Sequence, residues 1–180
     1  IALVLGNTPH FVIGFYGALR VGATVIPINP IYTPDEIGYI INNGDVRAVI
    51  TLDLLVPLFE KMNEHLPKVE HLIVSETPQG TNGGVDVTKL SIYPKLKSFT
   101  EVVGSGQLSY DGPTLEDEDV AVILYTSGTT GKPKGAMLTH MNLYSNARDV
   151  AEYLKISDQD RVITTLPMFH VFCMTVALNA

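Results

Sequence analysis

The densest concentration of chemically useful side chains lies in the run from Tyr125 to Gly135, with the sequence YTSGTTGKPKG. It holds four Ser/Thr hydroxyls, three glycines and two lysines. Glycine lets backbone N–H groups come close to an anion, hydroxyls donate to phosphate oxygens, and lysines add positive charge. The apolar segment 120–124 before the run is typical of a buried strand. A strand that leads into such a loop predicts a phosphate-binding loop on an α/β scaffold.

The run does not fit the P-loop of kinases and GTPases. That motif places G-x-x-x-x-G-K-[ST] before a helix. Here Gly128 and Gly131 are too close together, and Pro133 stands where a metal-binding hydroxyl belongs. Residues 136–139 have an extended pattern, so we predict a strand–loop–strand hairpin. In such a hairpin no helix N-terminus points at the phosphates, which disfavours kinase and GTPase classes.

The run 125–135 resembles the phosphate-loop signature of the acyl-adenylate-forming enzymes, which include acyl-CoA synthetases, luciferases and peptide-synthetase adenylation domains. The segment LPMFHVF at 166–172 is similar to the family segment that carries an aromatic or His residue beside the substrate carboxylate. Residues 7–30 and 32–36 also resemble the early part of these ligases, and the resemblance is weakest over 76–112. It is closest to bacterial long-chain fatty-acid–CoA ligases.

The resemblance implies a fragment, 1–180, of the large N-terminal AMP-binding domain. The family's adenine, metal and ribose segments, its hinge and its C-terminal domain with the catalytic lysine are not recognisable, so we expect the fragment to be inactive alone. We expect a βαβα region at 1–75, a variable loop region at 76–119, and the phosphate-loop hairpin with the acyl-site segment at 120–180. Apolar surface exposed by truncation would favour self-association.

Local patterns independently predict an α/β fold with a mostly parallel sheet flanked by helices. Strands and helices alternate in the first part, with Thr8 as a helix N-cap and Gly22 as a helix stop. Residues 33–36, TPDE, form a capping box, and Asp53 is expected to cap a further helix. The predicted strands are 1–5, 23–28, 46–51, 69–74, 120–124 and 162–165. Later helices are predicted at 99–103, at 142–153, and from about His170.

Composition narrows the class of protein and its compartment. The chain has 180 residues and a net charge of −7, with no Lys/Arg cluster outside the loop, which argues against nucleic acid as a partner. A single cysteine, Cys173, excludes an internal disulfide and fits a reducing cytosol. No signal peptide is recognisable, and the apolar stretch 11–28 contains Arg20 and three glycines, unlike a membrane span. We expect a cytoplasmic protein, with peripheral membrane association and homo-oligomerisation of the parent as open alternatives.

The resemblance also assigns roles within the loop. It implies that ATP phosphates contact the loop hydroxyls and backbone N–H groups, and that Lys134 adds charge or holds the loop while Lys132 is exposed. Carboxylate attack at the α-phosphate expels pyrophosphate, whose charge must be stabilised. Mg²⁺ is the implied cofactor and CoA the second substrate, with Thr126 as a candidate metal ligand. The alternative is an ordinary Gly/Thr-rich hairpin turn. The candidate phosphate-binding residues are Thr126, Ser127, Gly128, Thr129, Thr130, Gly131, Lys132, Lys134 and Gly135.

The resemblance places His170 beside the acyl carboxylate, where it shapes the pocket and does not act as a base. The alternative is a partly buried His at a helix start. Phe169 is a candidate pocket wall and Phe172 a core aromatic. Cys173 occupies a position where many relatives carry Gly, so it could narrow the acyl pocket. It has no recognisable partner base, which favours packing over nucleophilic chemistry. The other four histidines share no metal-ligand spacing.

The predicted function is ATP-dependent activation of a fatty acid to acyl-AMP and then to acyl-CoA by the intact parent. Fatty acid as the substrate rests on the resemblance alone. Two alternatives stay open at this point. The first is an aryl-acid or amino-acid adenylating enzyme of the same superfamily. The second is a non-catalytic nucleotide-binding or scaffolding domain.

Overall fold

A five-stranded parallel sheet forms the first half of the fold. The structure is a computed structural model that describes residues 1–75, 96–106, 110–126 and 131–180. The strands are β1 (Ala2–Val4), β2 (Ile26–Pro27), β3 (Ala48–Leu52), β4 (His71–Ser75) and β5 (Leu96–Ser98). Their order in the sheet is β2-β1-β3-β4-β5, and every neighbouring pair is parallel. This confirms the predicted α/β class.

Helices cover both faces of this sheet. Alternate residues of β1 point to opposite sides, as the pleat requires. The four helices are α1 (Pro9–Arg20), α2 (Pro34–Asn43), α3 (Val56–Met62) and α4 (Phe99–Gly104). Ala2 and Val4 pack in one apolar cluster with α2 and α3, whereas Leu3 and Leu5 pack in a second cluster with α1 and α4.

The predicted helix ends are confirmed in three of four cases. At α1, Gly22 has φ +76°, and its N–H donates to Leu19 O (3.0 Å), the hydrogen-bond pattern of a glycine stop. At α2, Thr33 and Glu36 form the predicted capping box. Thr8 is the N-cap residue of α1, as predicted, although its hydroxyl makes no capping hydrogen bond.

Asp53 differs from the prediction. A 3₁₀ turn, Asp53–Leu55, precedes α3, and the Asp53 carboxylate accepts from the N–H of Leu54 (2.8 Å) within that turn. No side chain caps α3. The 3₁₀ turn separates Asp53 from the first residue of the α-helix, Val56. The Asp53 carboxylate therefore accepts its hydrogen bond from Leu54 N–H within the 3₁₀ turn and not from an N–H of α3.

The predicted strand–loop–strand hairpin is confirmed. β6 (Val120–Thr126) pairs antiparallel with β7 (Lys134–Thr139). The hairpin lies beside β2, because Val25 N–H donates to Ala121 O (2.8 Å) and Ile123 N–H donates to Val25 O (2.9 Å). α5 (His140–Leu154) follows directly, with a capping box between Thr139 and Asn142. α6 (Val171–Cys173) begins after His170 as predicted and continues as a π-helix, Met174–Asn179.

The strand predicted at 162–165 is wrong. These residues have no strand hydrogen bonds, and Ile163 is 84 % exposed. A strand needs a partner edge, and the carbonyl of Thr164 instead accepts from the side chain of Asn7 (3.2 Å). In the described parts of the chain, no helix combines the length and apolar character that crossing a membrane requires.

Candidate nucleotide and carboxylate site

A cavity of about 470 Å³ lies between the hairpin, the segment after β2 and the start of α6. It brings together three residues that the sequence analysis singled out: Thr126, Phe169 and His170. A second cavity, of about 480 Å³, lies between α1 and α4, and no predicted site residue lines it. The residues that line the first cavity are Pro27, Asn29, Tyr32, Ile40, Leu124, Tyr125, Thr126, Ala136, Leu138, Phe169, His170 and Val171.

The candidate phosphate loop connects the end of β6 to the start of β7, next to this cavity. Its central residues 127–130, with the candidates Ser127, Gly128, Thr129 and Thr130, lie outside the described residues. Gly131 has φ +105°, a backbone conformation that favours glycine. Lys132, Lys134 and Gly135 are all exposed, and Lys132 Nζ lies 5.5 Å from the centre of the Tyr39 ring.

Two hydrogen bonds tie the ends of the loop to α2. The hydroxyl of Tyr125 donates to Asn43 Oδ1 (2.6 Å) on the β6 side, and the hydroxyl of Tyr39 donates to Pro133 O (3.2 Å) on the β7 side. The sequence analysis missed Tyr39 and Asn43. Their spacing of four residues places them on one face of α2, but nothing local indicates what that face contacts.

The environment keeps Tyr125 in the form that can donate. Burial, with smaller contributions from Tyr39 and Asp45 nearby, raises the pKa of Tyr125 above its usual value. The phenol is therefore neutral at physiological pH and holds the proton that it shares with Asn43.

Close packing of neighbouring side chains explains the glycine opposite Tyr125. Gly135 pairs with Tyr125 across the hairpin. A Cβ at position 135 would lie 2.7 Å from Ile123 Cγ2 and 3.1 Å from Cζ of Tyr125. A larger residue would therefore displace the aromatic ring from its place beside α2.

On the opposite wall of the cavity, the side chain of Asn7 makes three hydrogen bonds to the segment 164–168. Its Nδ2 donates to Leu166 O (2.7 Å) and to Thr164 O (3.2 Å), and its Oδ1 accepts from Met168 N–H (2.8 Å). Asn7 therefore fixes the segment that leads into Phe169 and His170. The sequence analysis quoted Asn7 only as part of the resemblance and assigned it no role.

His170 caps α6 and is exposed at the cavity. Its ring Nδ1 accepts from the backbone N–H of Phe172 at 3.4 Å, and the backbone N–H of His170 donates to Pro167 O (3.0 Å). With Nδ1 as the acceptor, Nε2 is the nitrogen that can carry a proton toward a ligand.

Cys173 lies apart from this cavity. The thiol is buried, donates to Leu166 O (3.0 Å), and has a pKa raised by burial. It lines a separate cavity of about 150 Å³ together with Phe172. Phe172 is 56 % exposed, so the expectation of a core aromatic is wrong. Its side chain lies beside the exposed segment 162–166, on the surface.

The described residues offer little to a metal ion. Within the described ranges, no group of three or more His, Cys, Asp and Glu side chains could hold one. The lining of the 470 Å³ cavity supplies the hydroxyl of Thr126 and no carboxylate among the described residues. Because Mg²⁺ prefers oxygen ligands and commonly binds through substrate phosphates, these residues fit a shared site in which phosphates supply most of the ligands.

The parallel sheet, the adjoining antiparallel hairpin and the segment that leads into α6 form an α/β domain. The chain belongs to the family of AMP-binding enzymes, which matches it over residues 1–180. This confirms the resemblance drawn from the loop signature.

Named relatives agree with this assignment. The chain is 32 % identical to a long-chain-fatty-acid–CoA ligase of Bacillus subtilis, an alignment that covers 99 % of this chain and 34 % of the relative. A solved long-chain-fatty-acid–CoA ligase from Archaeoglobus fulgidus superposes with a TM-score of 0.80 at 32 % identity, over 97 % of this chain and 32 % of that one. ATP-bound MatB from Rhodopseudomonas palustris superposes with a TM-score of 0.78 at 25 % identity, over 99 % and 32 %. The chain thus spans about a third of the length of the relatives it matches.

Proposed function

We propose that a full-length protein carrying this chain activates a long-chain fatty acid with ATP. The carboxylate attacks the α-phosphate, the bond to pyrophosphate breaks, and acyl-AMP forms. The thiol of CoA then displaces AMP to give acyl-CoA. One observation carries the proposal: a single cavity has the end of the phosphate loop, at Tyr125 and Thr126, on one side and His170 on the other.

The phosphate side supplies hydrogen-bond donors and charge. The hydroxyls of Thr126, Ser127, Thr129 and Thr130 and the backbone N–H groups of Gly128 and Gly131 would contact the phosphates of ATP. Donors aimed at the leaving pyrophosphate stabilise charge that develops in the transition state. Mg²⁺ would be held by those phosphates with the help of Thr126, and would supply further neutralisation of their charge.

The carboxylate side orients the attacking group. His170 would donate from Nε2 to the carboxylate and hold it near the α-phosphate, without removing a proton, since a carboxylate needs no general base. Phe169, half-buried in the same cavity, would contact the start of the acyl chain. The substrate class is supported by the names of the relatives, two of which are long-chain-fatty-acid–CoA ligases.

Further proposals concern the division of the chain into regions and the association of the full-length protein with membranes or with itself. We propose that 76–119 is a variable region and that the residues completing the adenine, ribose and CoA sites lie outside this chain. Peripheral membrane association and homo-oligomerisation of the full-length protein stay predictions. Co-sedimentation with anionic phospholipid vesicles tests the first, and light scattering at several protein concentrations tests the second.

ATP–pyrophosphate exchange tests the proposal directly. The full-length protein is assayed with acetate, octanoate, palmitate, benzoate and a set of amino acids. We expect exchange with palmitate above all others. Exchange with benzoate or an amino acid alone would move the protein to another substrate class of the superfamily. ATP binding without exchange for any acid would favour the non-catalytic alternative.

A further inference from the structure

Both ends of the phosphate loop contact the same face of α2. Asn43 and Tyr39 are one helical turn apart on this helix. Asn43 accepts from the hydroxyl of Tyr125, immediately before Thr126, and Tyr39 donates to the carbonyl of Pro133, immediately before Lys134. The partners are 82 and 94 residues apart along the chain, so neither contact follows from local structure.

The contact on the β6 side reaches both strands of the hairpin. Tyr125 pairs with Gly135 across the hairpin, and a Cβ at Gly135 would lie only 3.1 Å from Cζ of the Tyr125 ring. The absence of a side chain at Gly135 therefore makes room for the ring beside β7. At its other end the ring reaches the end of α2, where its hydroxyl donates to Asn43 Oδ1. One glycine thus lets this tyrosine join α2 to the hairpin.

The contact on the β7 side involves a cationic residue of the loop. Lys132 Nζ lies 5.5 Å from the centre of the Tyr39 ring, within the range of cation–π attraction. The hydroxyl of the same ring binds Pro133 O. Tyr39 therefore contacts two consecutive loop residues, through its face and through its hydroxyl.

These polar contacts are separate from those that fold α2. The helix is held to the sheet by Ile37, Ile40 and Ile41, which are buried, and its first turn is held by the capping box. Asn43 is exposed and its amide contributes nothing to that apolar packing. Fixing the ends of a binding loop before the ligand arrives reduces the entropy lost on binding.

We infer that Tyr39 and Asn43 are positioning residues that hold the two ends of the phosphate loop in place for the phosphates of ATP. The inference rests on the nucleotide-binding part of the proposed function. Neither residue needs to touch the nucleotide. Their effect is on ATP affinity, whereas the affinity for the carboxylic acid depends on the other wall of the cavity.

The test is ATP binding to the full-length protein by titration calorimetry, with Asn43→Ala, Tyr39→Phe and Asn42→Ala compared with wild type. Tyr39→Phe keeps the ring and removes only the hydroxyl. Asn42→Ala is the matched control, because Asn42 neighbours Asn43 on α2 but donates to His65 O (2.8 Å), away from the loop. The palmitate affinity of each protein is measured in parallel.

We expect Asn43→Ala to raise the Kd for ATP about three- to tenfold and Tyr39→Phe about two- to fivefold, as for the loss of one hydrogen bond each. Asn42→Ala should match wild type, and palmitate affinity should be unchanged throughout. Tyr125→Phe provides a second route to the β6 contact. Combined with Asn43→Ala, it should be little worse than either change alone, because both remove the same hydrogen bond.

Wild-type ATP affinity in both Asn43→Ala and Tyr39→Phe would overturn the inference. So would equal weakening of ATP and palmitate binding, which would indicate a general structural role. If the wild type exchanges pyrophosphate and both variants bind ATP normally, only this inference is contradicted. If the variants bind ATP weakly but the wild type exchanges pyrophosphate with no acid, only the proposed function is contradicted. Absence of ATP binding in wild type would contradict both.

Discussion

The two walls of the candidate site are anchored to the parallel half of the fold in different ways. The phosphate-loop wall is attached at two points, through two tyrosine hydroxyls, to the side of α2. The carboxylate wall, residues 164–170, is attached by three hydrogen bonds from Asn7, in the loop after β1, and by the apolar packing of Met168 and Phe169. In both cases a polar side chain reaches the backbone or side chain of a residue far away in sequence. The βαβ frame therefore positions a site whose proposed ligand-binding residues lie elsewhere in the chain.

The N-terminal and C-terminal halves of the chain also differ in how much of their helices is buried. α1 has 12 residues and buries four of them, whereas α5 has 15 residues and buries only Ala147. Tyr153 and Ile163, near the end of α5 and just after it, are 86 % and 84 % exposed. The two halves nevertheless share one apolar cluster, in which Leu5 and Phe11 pack with Met168. Single substitutions in the polar contacts of each wall should separate the two walls.

The largest effect is expected within the phosphate loop. Under the proposed function, Thr129→Ala and Thr130→Ala would each remove a donor to the leaving pyrophosphate, and we expect the exchange rate to fall about 10²-fold or more. Thr100→Ala, at an exposed position of α4, is the control and should behave as wild type. An unchanged exchange rate in both loop variants would remove the role assigned to these hydroxyls.

The next effect concerns the anchor of the carboxylate wall. Asn7→Ala removes three hydrogen bonds, and we expect the free energy of unfolding to fall by about 2 kcal/mol. Asn7→Asp keeps the acceptor for Met168 N–H but turns a carboxylate toward the carbonyls of Thr164 and Leu166. It should therefore be at least as destabilising near neutral pH and recover partly in acid, when the carboxyl gains a proton to donate. Urea unfolding at several pH values checks this, and an Asn7→Asp protein as stable as wild type would contradict it.

Alanine substitutions of one glycine in the hairpin and one in α1 test how tightly the two halves are packed. Gly135→Ala should lower stability by about 1–3 kcal/mol, because its Cβ would overlap Ile123 and Tyr125. Gly17→Ala, in the middle of α1 with no atom within 4 Å of the new Cβ, should raise stability by about 0.5–1 kcal/mol. Thermal unfolding measures both. Equal effects of the two substitutions would mean that the hairpin can relax around Tyr125.

The smallest effect is electrostatic and lies in the capping box of α2. Hydrogen bonds from the backbone N–H of Thr33 and, to a smaller extent, from its hydroxyl lower the pKa of Glu36. A carboxyl with a lowered folded pKa stabilises the protein above its unfolded pKa, and this contribution is lost as the pH falls through the folded value. Glu36→Gln should therefore be less stable than wild type at pH 7, with the difference disappearing in acid. A difference in unfolding midpoint that stays constant with pH would contradict this account.

The sequence predicts the parallel half well because its signals are local. Capping residues, helical spacing of apolar residues and the glycine stop at Gly22 each specify structure within a few neighbours. The loop signature likewise identified the hairpin and the family. Asn7, Tyr39 and Asn43 were missed because their partners lie 82 to 161 residues away. The strand expected at 162–165 failed for the same reason, since an extended apolar pattern does not reveal whether a partner strand is present.

The central claim is that the two walls serve two substrates, phosphates on one side and carboxylate on the other. Steady-state kinetics of Asn43→Ala and His170→Ala in the full-length protein, with KM determined separately for ATP and for palmitate, tests it most directly. We predict that Asn43→Ala raises KM for ATP several-fold and leaves KM for palmitate unchanged, while His170→Ala raises KM for palmitate about tenfold and leaves KM for ATP unchanged. If His170→Ala changed only KM for ATP, or if both variants raised both constants equally, the division of the site into two walls would be contradicted.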